Sequence, residues 1–122
     1  MRVRAYLLPV LAAVAIAVVT ACGAAEGSGA GATNDLTVTM TEFKFQPASL
    51  SATAGRPITL HLKNAGTVDH QFRIDQAGVD VTVKPSQTAT QEIPALAAGS
   101  YDVVCSVPGH KEAGMTAKLV VR

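Results

Sequence analysis

The feature that most constrains the fold is a two-residue alternation of apolar and polar side chains, broken at intervals of about eight to twelve residues by turn formers. The alternation is clearest in residues 36–40, 58–62 and 79–83, which read LTVTM, ITLHL and VDVTV. It is typical of β-strands with one buried face. Turn-forming residues separate such segments, as in 54–57 (AGRP) and 64–66 (NAG). Seven or eight short strands of this kind predict an all-β, antiparallel Greek-key β-sandwich.

A sandwich of this size buries a modest apolar core between its two sheets. The residues predicted to form that core are Phe43, Phe45, Leu50, Ile58, Leu60, Leu62, Phe72, Ile74, Ile93, Val103, Leu119 and Val121.

Residues 1–21 have the pattern of an export signal, with Arg2 and Arg4 ahead of an apolar run that ends in small residues. The run is short for a transmembrane helix, which needs about 20 apolar residues. The sequence VVTAC at residues 18–22 resembles a bacterial lipoprotein signal. That resemblance implies cleavage before Cys22 and attachment of lipid to its sulfur. We therefore expect a protein anchored to the outer face of the cytoplasmic membrane, at the cell surface or in a periplasm.

Residues 22–34 contain this cysteine followed mainly by Gly, Ala and Ser, a composition typical of a flexible tether. The folded domain is therefore predicted to span residues 35–122. Removal of residues 1–21 leaves eight Lys and Arg against nine Asp and Glu. This balance argues against nucleic-acid binding, because phosphates require a basic surface.

A loop between two Val-rich segments collects three side chains that can bind a metal. It reads CSVPGHKEAGM and contains Cys105, His110 and Met115. Pro and Gly residues turn the chain within the loop, so the thiol, the imidazole and the thioether can converge. One cysteine and two histidines in a plane, with a distant methionine, are the ligand set of blue copper sites. A disulfide is not expected, since the second cysteine of the chain lies in the predicted lipoprotein signal.

The second imidazole must come from elsewhere, and the chain has two other histidines. His61 shares the outward face of its strand with Thr59 and Lys63, so we expect it to face solvent. His70 lies in NAGTVDHQF at the start of the next strand, where it can lean over one end of the sandwich. His70 is therefore the candidate ligand.

Residues 43–72, FKFQPASLSATAGRPITLHLKNAGTVDHQF, and the loop CSVPGHKEAGM resemble the small blue copper proteins known as cupredoxins. The resemblance extends over residues 35–122. Four residues separate the cysteine from the histidine of the loop and four separate that histidine from the methionine, which is most similar to the rusticyanin, sulfocyanin and auracyanin branch. The resemblance implies one copper ion bound by His70, Cys105, His110 and Met115.

One position departs from the family pattern. Many cupredoxins carry Asn or Ser directly after the first histidine, and its side chain ties that strand to the cysteine loop. Gln71 stands there in this chain. The tie is then either weaker or supplied by another group, such as Asn64.

Four protein ligands leave no position for a substrate, so the sequence predicts an electron carrier rather than an enzyme. Copper would alternate between Cu(I) and Cu(II). The resemblance implies that electrons leave through His110 within an apolar patch, formed here by Val107, Pro108, Ala113 and Gly66. Such a patch suits brief contacts with redox partner proteins, and we expect a monomer.

Two alternatives remain open. A copper carrier or storage lipoprotein would use the same ligands to exchange the metal, although the domain has only Met40 and Met115 where such carriers favour Met-rich and His-rich surfaces. An enzyme would be a copper reductase or a thiol hydrolase. A reductase needs further histidines for an open metal centre, and a hydrolase would leave Met115 without a role. A dinuclear copper site would need a second cysteine in the loop.

Overall fold

The computed structural model describes residues 34–122, which form nine β-strands and one 3₁₀ turn. The strands are β1 (Asn34–Thr41), β2 (Lys44–Gln46), β3 (Ser49–Ala52), β4 (Ile58–Asn64), β5 (His70–Ile74), β6 (Val79–Val83), β7 (Thr88–Ile93), β8 (Gly99–Val104) and β9 (Thr116–Val121), and the 3₁₀ turn is Asp75–Ala77. The predicted signal, the predicted lipidation site Cys22 and the tether up to residue 33 lie outside the described residues, whereas Asn34, predicted as the end of the tether, is the first residue of β1. Among residues 34–122, no helix is long and apolar enough to cross a membrane.

The strands form two sheets that pack face to face. One sheet has the order β2-β1-β4-β7 and the other has the order β3-β9-β8-β5-β6. The prediction of an all-β sandwich is confirmed. The strand number exceeds the predicted seven or eight because the chain changes sheets between Gln46 and Ser49, which places the short strands β2 and β3 in different sheets.

The predicted antiparallel pairing does not hold for two of the strand pairs. Strands β1 and β4 pair in parallel, with Asn34 opposite Ile58, and β3 and β9 pair in parallel, with Ser49 opposite Lys118. Neither pair is joined by a hairpin, and long connections permit parallel neighbours. Alternation within a strand does not encode the direction of its partner.

The core lies between the sheets and contains every predicted core residue except Phe43, which is 45% exposed. The rings of Phe45 and Phe72 meet edge to face across the core, with centroids 5.6 Å apart. Val38 and Met40 of β1 add to this core. Phe43 lies outside it because it falls in the turn between β1 and β2, where Thr41 already pairs with Lys44.

One end of the sandwich is defined by three neighbouring strands of the five-stranded sheet. Strand β8 pairs antiparallel with both β5 and β9. The start of β5, the end of β8 and the start of β9 are therefore at the same end. His70, Cys105 and Met115 occupy these three strand ends.

The first prediction concerns the core. Leu60 is fully buried on β4 between β1 and β7, so Leu60→Ala should lower the free energy of unfolding by about 2–5 kcal/mol. Val68 is 42% exposed, and Val68→Ala should change it by less than about 0.5 kcal/mol. Denaturant unfolding of the metal-free proteins measures both values. Equal losses in the two variants would contradict the assignment of Leu60 to the core.

Candidate metal centre

Three of the four predicted ligands extend the inward-facing positions of neighbouring strands. His70 precedes buried Phe72 on β5, Cys105 follows buried Val103 on β8, and Met115 precedes buried Ala117 on β9. Alternate residues of a strand share one face. The same alternation that fills the core therefore directs an imidazole, a thiol and a thioether to its end.

The donor atoms of His70, Cys105 and His110 all lie within 4.8 Å of one another. The Cys105 Sγ is 3.5 Å from Nδ1 of His110, and the two imidazole rings have centroids 5.1 Å apart at a tilt of 58°. Among residues 34–122, this is the one cluster of three or more His, Cys, Asp or Glu side chains with metal-binding spacing. The structure thus brings together the three predicted nitrogen and sulfur donors.

Backbone hydrogen bonds hold the loop from Cys105 to Met115 closed. The Cys105 N–H donates to the Met115 carbonyl at 3.2 Å, and the Met115 N–H donates to the His110 carbonyl at 3.0 Å. Gly109 and Gly114 have φ angles of +85° and +96°, a region in which residues with a Cβ are strained. These two glycines allow the loop to reverse direction twice within a few residues. The Met115 side chain is fully buried next to the two residues that its backbone contacts.

His70 fits a metal ligand because its polar atoms have no other partner. The residue is fully buried, and neither Nδ1 nor Nε2 has a hydrogen-bond partner in the protein. An unpaired buried polar group costs about 1–3 kcal/mol, so such groups require an explanation. A soft donor set of one thiol, two imidazoles and a buried thioether at this spacing fits copper.

The Cys105 sulfur receives a hydrogen bond from the protein backbone. The Gln71 N–H donates to Sγ at 3.4 Å. The Gln71 side chain donates to Asp80 on β6, so it does not tie β5 to the cysteine loop. The hydrogen-bonding environment of the sulfur is one of the factors that set the potential of blue copper sites. The backbone of Gln71 therefore acts on the site, and its side chain acts on the neighbouring strand.

Asn64 does not supply the expected tie to the cysteine loop. Its side chain is fully buried and donates to the carbonyls of Val68 and Val83, each at 2.8 Å. Its Oδ1 accepts from the Gly66 N–H at 2.9 Å. These bonds shape the connection that leads from β4 to His70. Asn64 therefore positions one ligand through the backbone.

The surroundings of His70 favour the neutral imidazole, which is the form that binds metals. Burial, and next the proximity of His110, lower the pKa of His70 below its ordinary value. The carboxylates of Glu42 and Asp69 oppose this effect on the pKa in part. The lowered pKa means that protons compete less with a metal for this nitrogen. His61 is exposed, as expected, and its Nε2 lies 3.5 Å from Asp35.

The turn between β1 and β2 is the part of the site that sequence reasoning missed. The Phe43 ring meets the His110 ring edge to face, with centroids 5.2 Å apart. Glu42 accepts hydrogen bonds from Thr67 in the connection that leads to His70. The available signal was the change of inward-facing phase between Met40 and Phe45, which requires a tight turn at this position.

Comparison with known proteins also indicates a cupredoxin-like domain. A family model described as a cupredoxin-like domain matches residues 10–121. The structure is similar to auracyanin A, a "blue" copper protein from the green thermophilic photosynthetic bacterium Chloroflexus aurantiacus, with a TM-score of 0.66 and 22% identity over 75% of this chain and 100% of that chain. It is also similar to dithionite-reduced auracyanin from Roseiflexus castenholzii, with a TM-score of 0.66 and 18% identity over 75% and 99% of the two chains.

A curated relative is the copper-resistant cuproprotein CopI of Rubrivivax gelatinosus. It is 26% identical over 102 residues, which cover 65% of this chain. The match spans 60% of the length of that relative.

The second prediction concerns Gly66, which lies against the first histidine. A Cβ at Gly66 would be 2.8 Å from Nε2 of His70 and 2.7 Å from Oε1 of Glu42. Because its φ is outside the left-handed region, Gly66→Ala would act through this clash alone. We expect the affinity for copper to fall on the order of tenfold, as measured by competition with a chelator. Ala65→Ser adds an atom to the exposed neighbouring residue and should leave the affinity unchanged. An unchanged affinity in Gly66→Ala would contradict the close contact.

Proposed function

The chain belongs to the family of cupredoxin-like domains, and from that premise we propose that it is a type 1 copper protein that carries single electrons between redox partners. The resemblance to the cupredoxins predicted from the sequence is thereby confirmed. The observation that carries the proposal is the convergence of the donor atoms of His70, Cys105 and His110 within 4.8 Å at a buried end of the sandwich.

His70, Cys105, His110 and Met115 would hold the copper ion. When bound, copper supplies the chemistry by alternating between Cu(I) and Cu(II). The protein holds the donors in place through the closed loop and excludes water by burying all four side chains. With four protein ligands and no open position, the site is suited to electron transfer rather than to an enzymatic reaction on a bound substrate.

The surface around His110 is where electrons would enter and leave. His110 is 8% exposed, and it is the only predicted ligand with measurable exposure. Exposed Phe43, Val68 and Pro108 surround this end of the molecule with apolar surface. Electron-transfer contacts are at the small end of interface sizes, and such a patch suits a short-lived complex with a redox protein.

A second candidate function is copper transport or storage, which the similarity to a copper-resistant cuproprotein favours. A carrier must release its metal at a useful rate. In this chain three of the four predicted ligands are fully buried and the fourth is nearly so. Rapid exchange would require the loop to open, and this cost favours electron transfer.

The location of the protein is proposed from the sequence. An export signal at residues 1–21, a lipid on Cys22 and a tether up to residue 34 would hold the domain of residues 35–122 on the outer face of the cytoplasmic membrane. There it would act as a monomer in contact with redox proteins.

The third prediction tests the proposed function. Addition of Cu(II) to the full-length protein should produce an intense absorption band towards the red end of the visible spectrum, which reductant removes and oxidant restores. Cys105→Ser should bind copper without the band, because the sulfur is its source. A wild-type protein that binds copper but stays colourless would rule out the electron-carrier proposal. Rapid loss of copper to a chelator would favour the carrier function.

The fourth prediction concerns Phe43, whose φ of +62° is unusual for a bulky residue. Phe43→Ala and Phe43→Gly both remove the ring from His110, so both should keep the absorption band and slow electron self-exchange several-fold. Glycine tolerates the positive φ, so Phe43→Gly should be more stable than Phe43→Ala by about 1 kcal/mol. NMR line broadening measures the exchange, and denaturant unfolding measures the stability. An unchanged exchange rate would remove Phe43 from the electron-transfer surface.

A further inference from the structure

The turn that joins β1 and β2 lies beside both imidazoles of the metal centre. Phe43 packs on His110. The preceding residue, Glu42, lies near His70 next to Gly66. In the proposed function, Phe43 forms part of the electron-transfer surface around His110, whereas the carboxylate of Glu42 has no role. The contacts of that carboxylate are specific enough to indicate one.

Glu42 and His70 both lie close to Gly66, which has no side chain. The position that a Cβ of Gly66 would occupy is 2.7 Å from Oε1 of Glu42 and 2.8 Å from Nε2 of His70. The two atoms therefore lie near each other on either side of this point, although they do not form a hydrogen bond, because Nε2 of His70 has no partner in the protein. If Nε2 is the nitrogen on the side of Glu42, Nδ1 is the one left for the metal.

The carboxylate is held in this position by two hydrogen bonds. Oε1 of Glu42 accepts from the Thr67 N–H at 2.5 Å and from the Thr67 hydroxyl at 2.8 Å. Thr67 directly follows Gly66, so the same short segment provides both the space and the anchor. Although Glu42 lies at the surface, it is therefore not a freely rotating side chain.

We propose that Glu42 places a fixed negative charge beside the metal centre, on the side of His70 where Nε2 lies. The proposal rests on the proposed function, because it concerns the same copper site. A histidine that binds a metal through one nitrogen carries its proton on the other, and a negative charge near that N–H favours this tautomer.

The charge of Glu42 should also act on the redox equilibrium. The thiolate of Cys105 and the carboxylate of Glu42 together balance the two positive charges of Cu(II), whereas Cu(I) leaves one negative charge in excess. Opposite charges near a partly buried site attract more strongly than they do in water. Glu42 therefore stabilises Cu(II) relative to Cu(I) and lowers the reduction potential.

The test is Glu42→Gln in the full-length protein. Glutamine keeps an oxygen that can accept from Thr67 and removes only the charge. We expect the affinity for Cu(II) to fall about tenfold more than the affinity for Cu(I), which corresponds to a rise of about 59 mV in potential. Glu112→Gln removes a carboxylate from an exposed position of the Cys105–Met115 loop and should shift the potential less. Glu42→Asp retains the charge and should restore most of the wild-type potential.

A second measurement separates this role from general stabilisation of the turn. Pulsed paramagnetic resonance of the Cu(II) protein detects the remote nitrogen of each bound imidazole and responds to the field at its N–H. In Glu42→Gln, one of the two remote-nitrogen signals should change and the other should not. If neither signal changes and the potential stays within the range of Glu112→Gln, the proposal is overturned.

The failure of this proposal can be distinguished from failure of the proposed function. A colourless wild-type copper protein would contradict electron transfer. The comparison of copper affinities between wild type and Glu42→Gln requires only that copper binds, and it would still support or overturn the role of Glu42.

Discussion

A fully buried imidazole with no hydrogen-bond partner on either ring nitrogen is the constraint on which this end of the sandwich depends. Burying such a group costs free energy, and the apolar core must offset that cost for the fold to hold His70 where it is. Cys105 and Met115 are buried beside it, so the fold holds these donors out of water. A metal that binds them recovers part of the cost, which links its affinity to the stability of the fold.

The alternation of inward-facing and outward-facing residues along the strands made much of this site predictable. His70 shares an inward face with Phe72, Cys105 with Val103, and Met115 with Leu119, and this follows from counting alternate residues. Counting also placed His61 on the outward face, where the structure has it. Alternation alone does not say that β5, β8 and β9 are neighbours. That adjacency follows only from the resemblance to a known family, and alternation is equally silent on the direction of the two parallel strand pairs.

Phe43 was predicted to lie in the core, and the reason why it does not can be found in the neighbouring sequence. Met40 and Phe45 are both buried, but they lie on positions of opposite parity, so the inward face must change between them. A two-residue turn accomplishes this change and lifts Phe43 out of the core. What no local pattern encodes is where that turn lies once the sheets are packed. Its contact with His110 depends on how the four-stranded sheet meets the five-stranded one.

Because the ligands and this turn belong to different sheets, the surroundings of the site can change without a change in its ligands. The four predicted ligands lie at the start of β5 and in the loop that joins β8 to β9, all strands of the five-stranded sheet, whereas Glu42 and Phe43 belong to a turn of the other sheet. A substitution in that turn changes the charge and the apolar surface beside the imidazoles while the ligands and the hydrogen bonds of their loop stay in place. The potential and the docking surface can therefore vary between related chains that share one ligand set. Because charge acts over several ångströms in a partly buried site, a residue that never touches the metal is sufficient for such an adjustment.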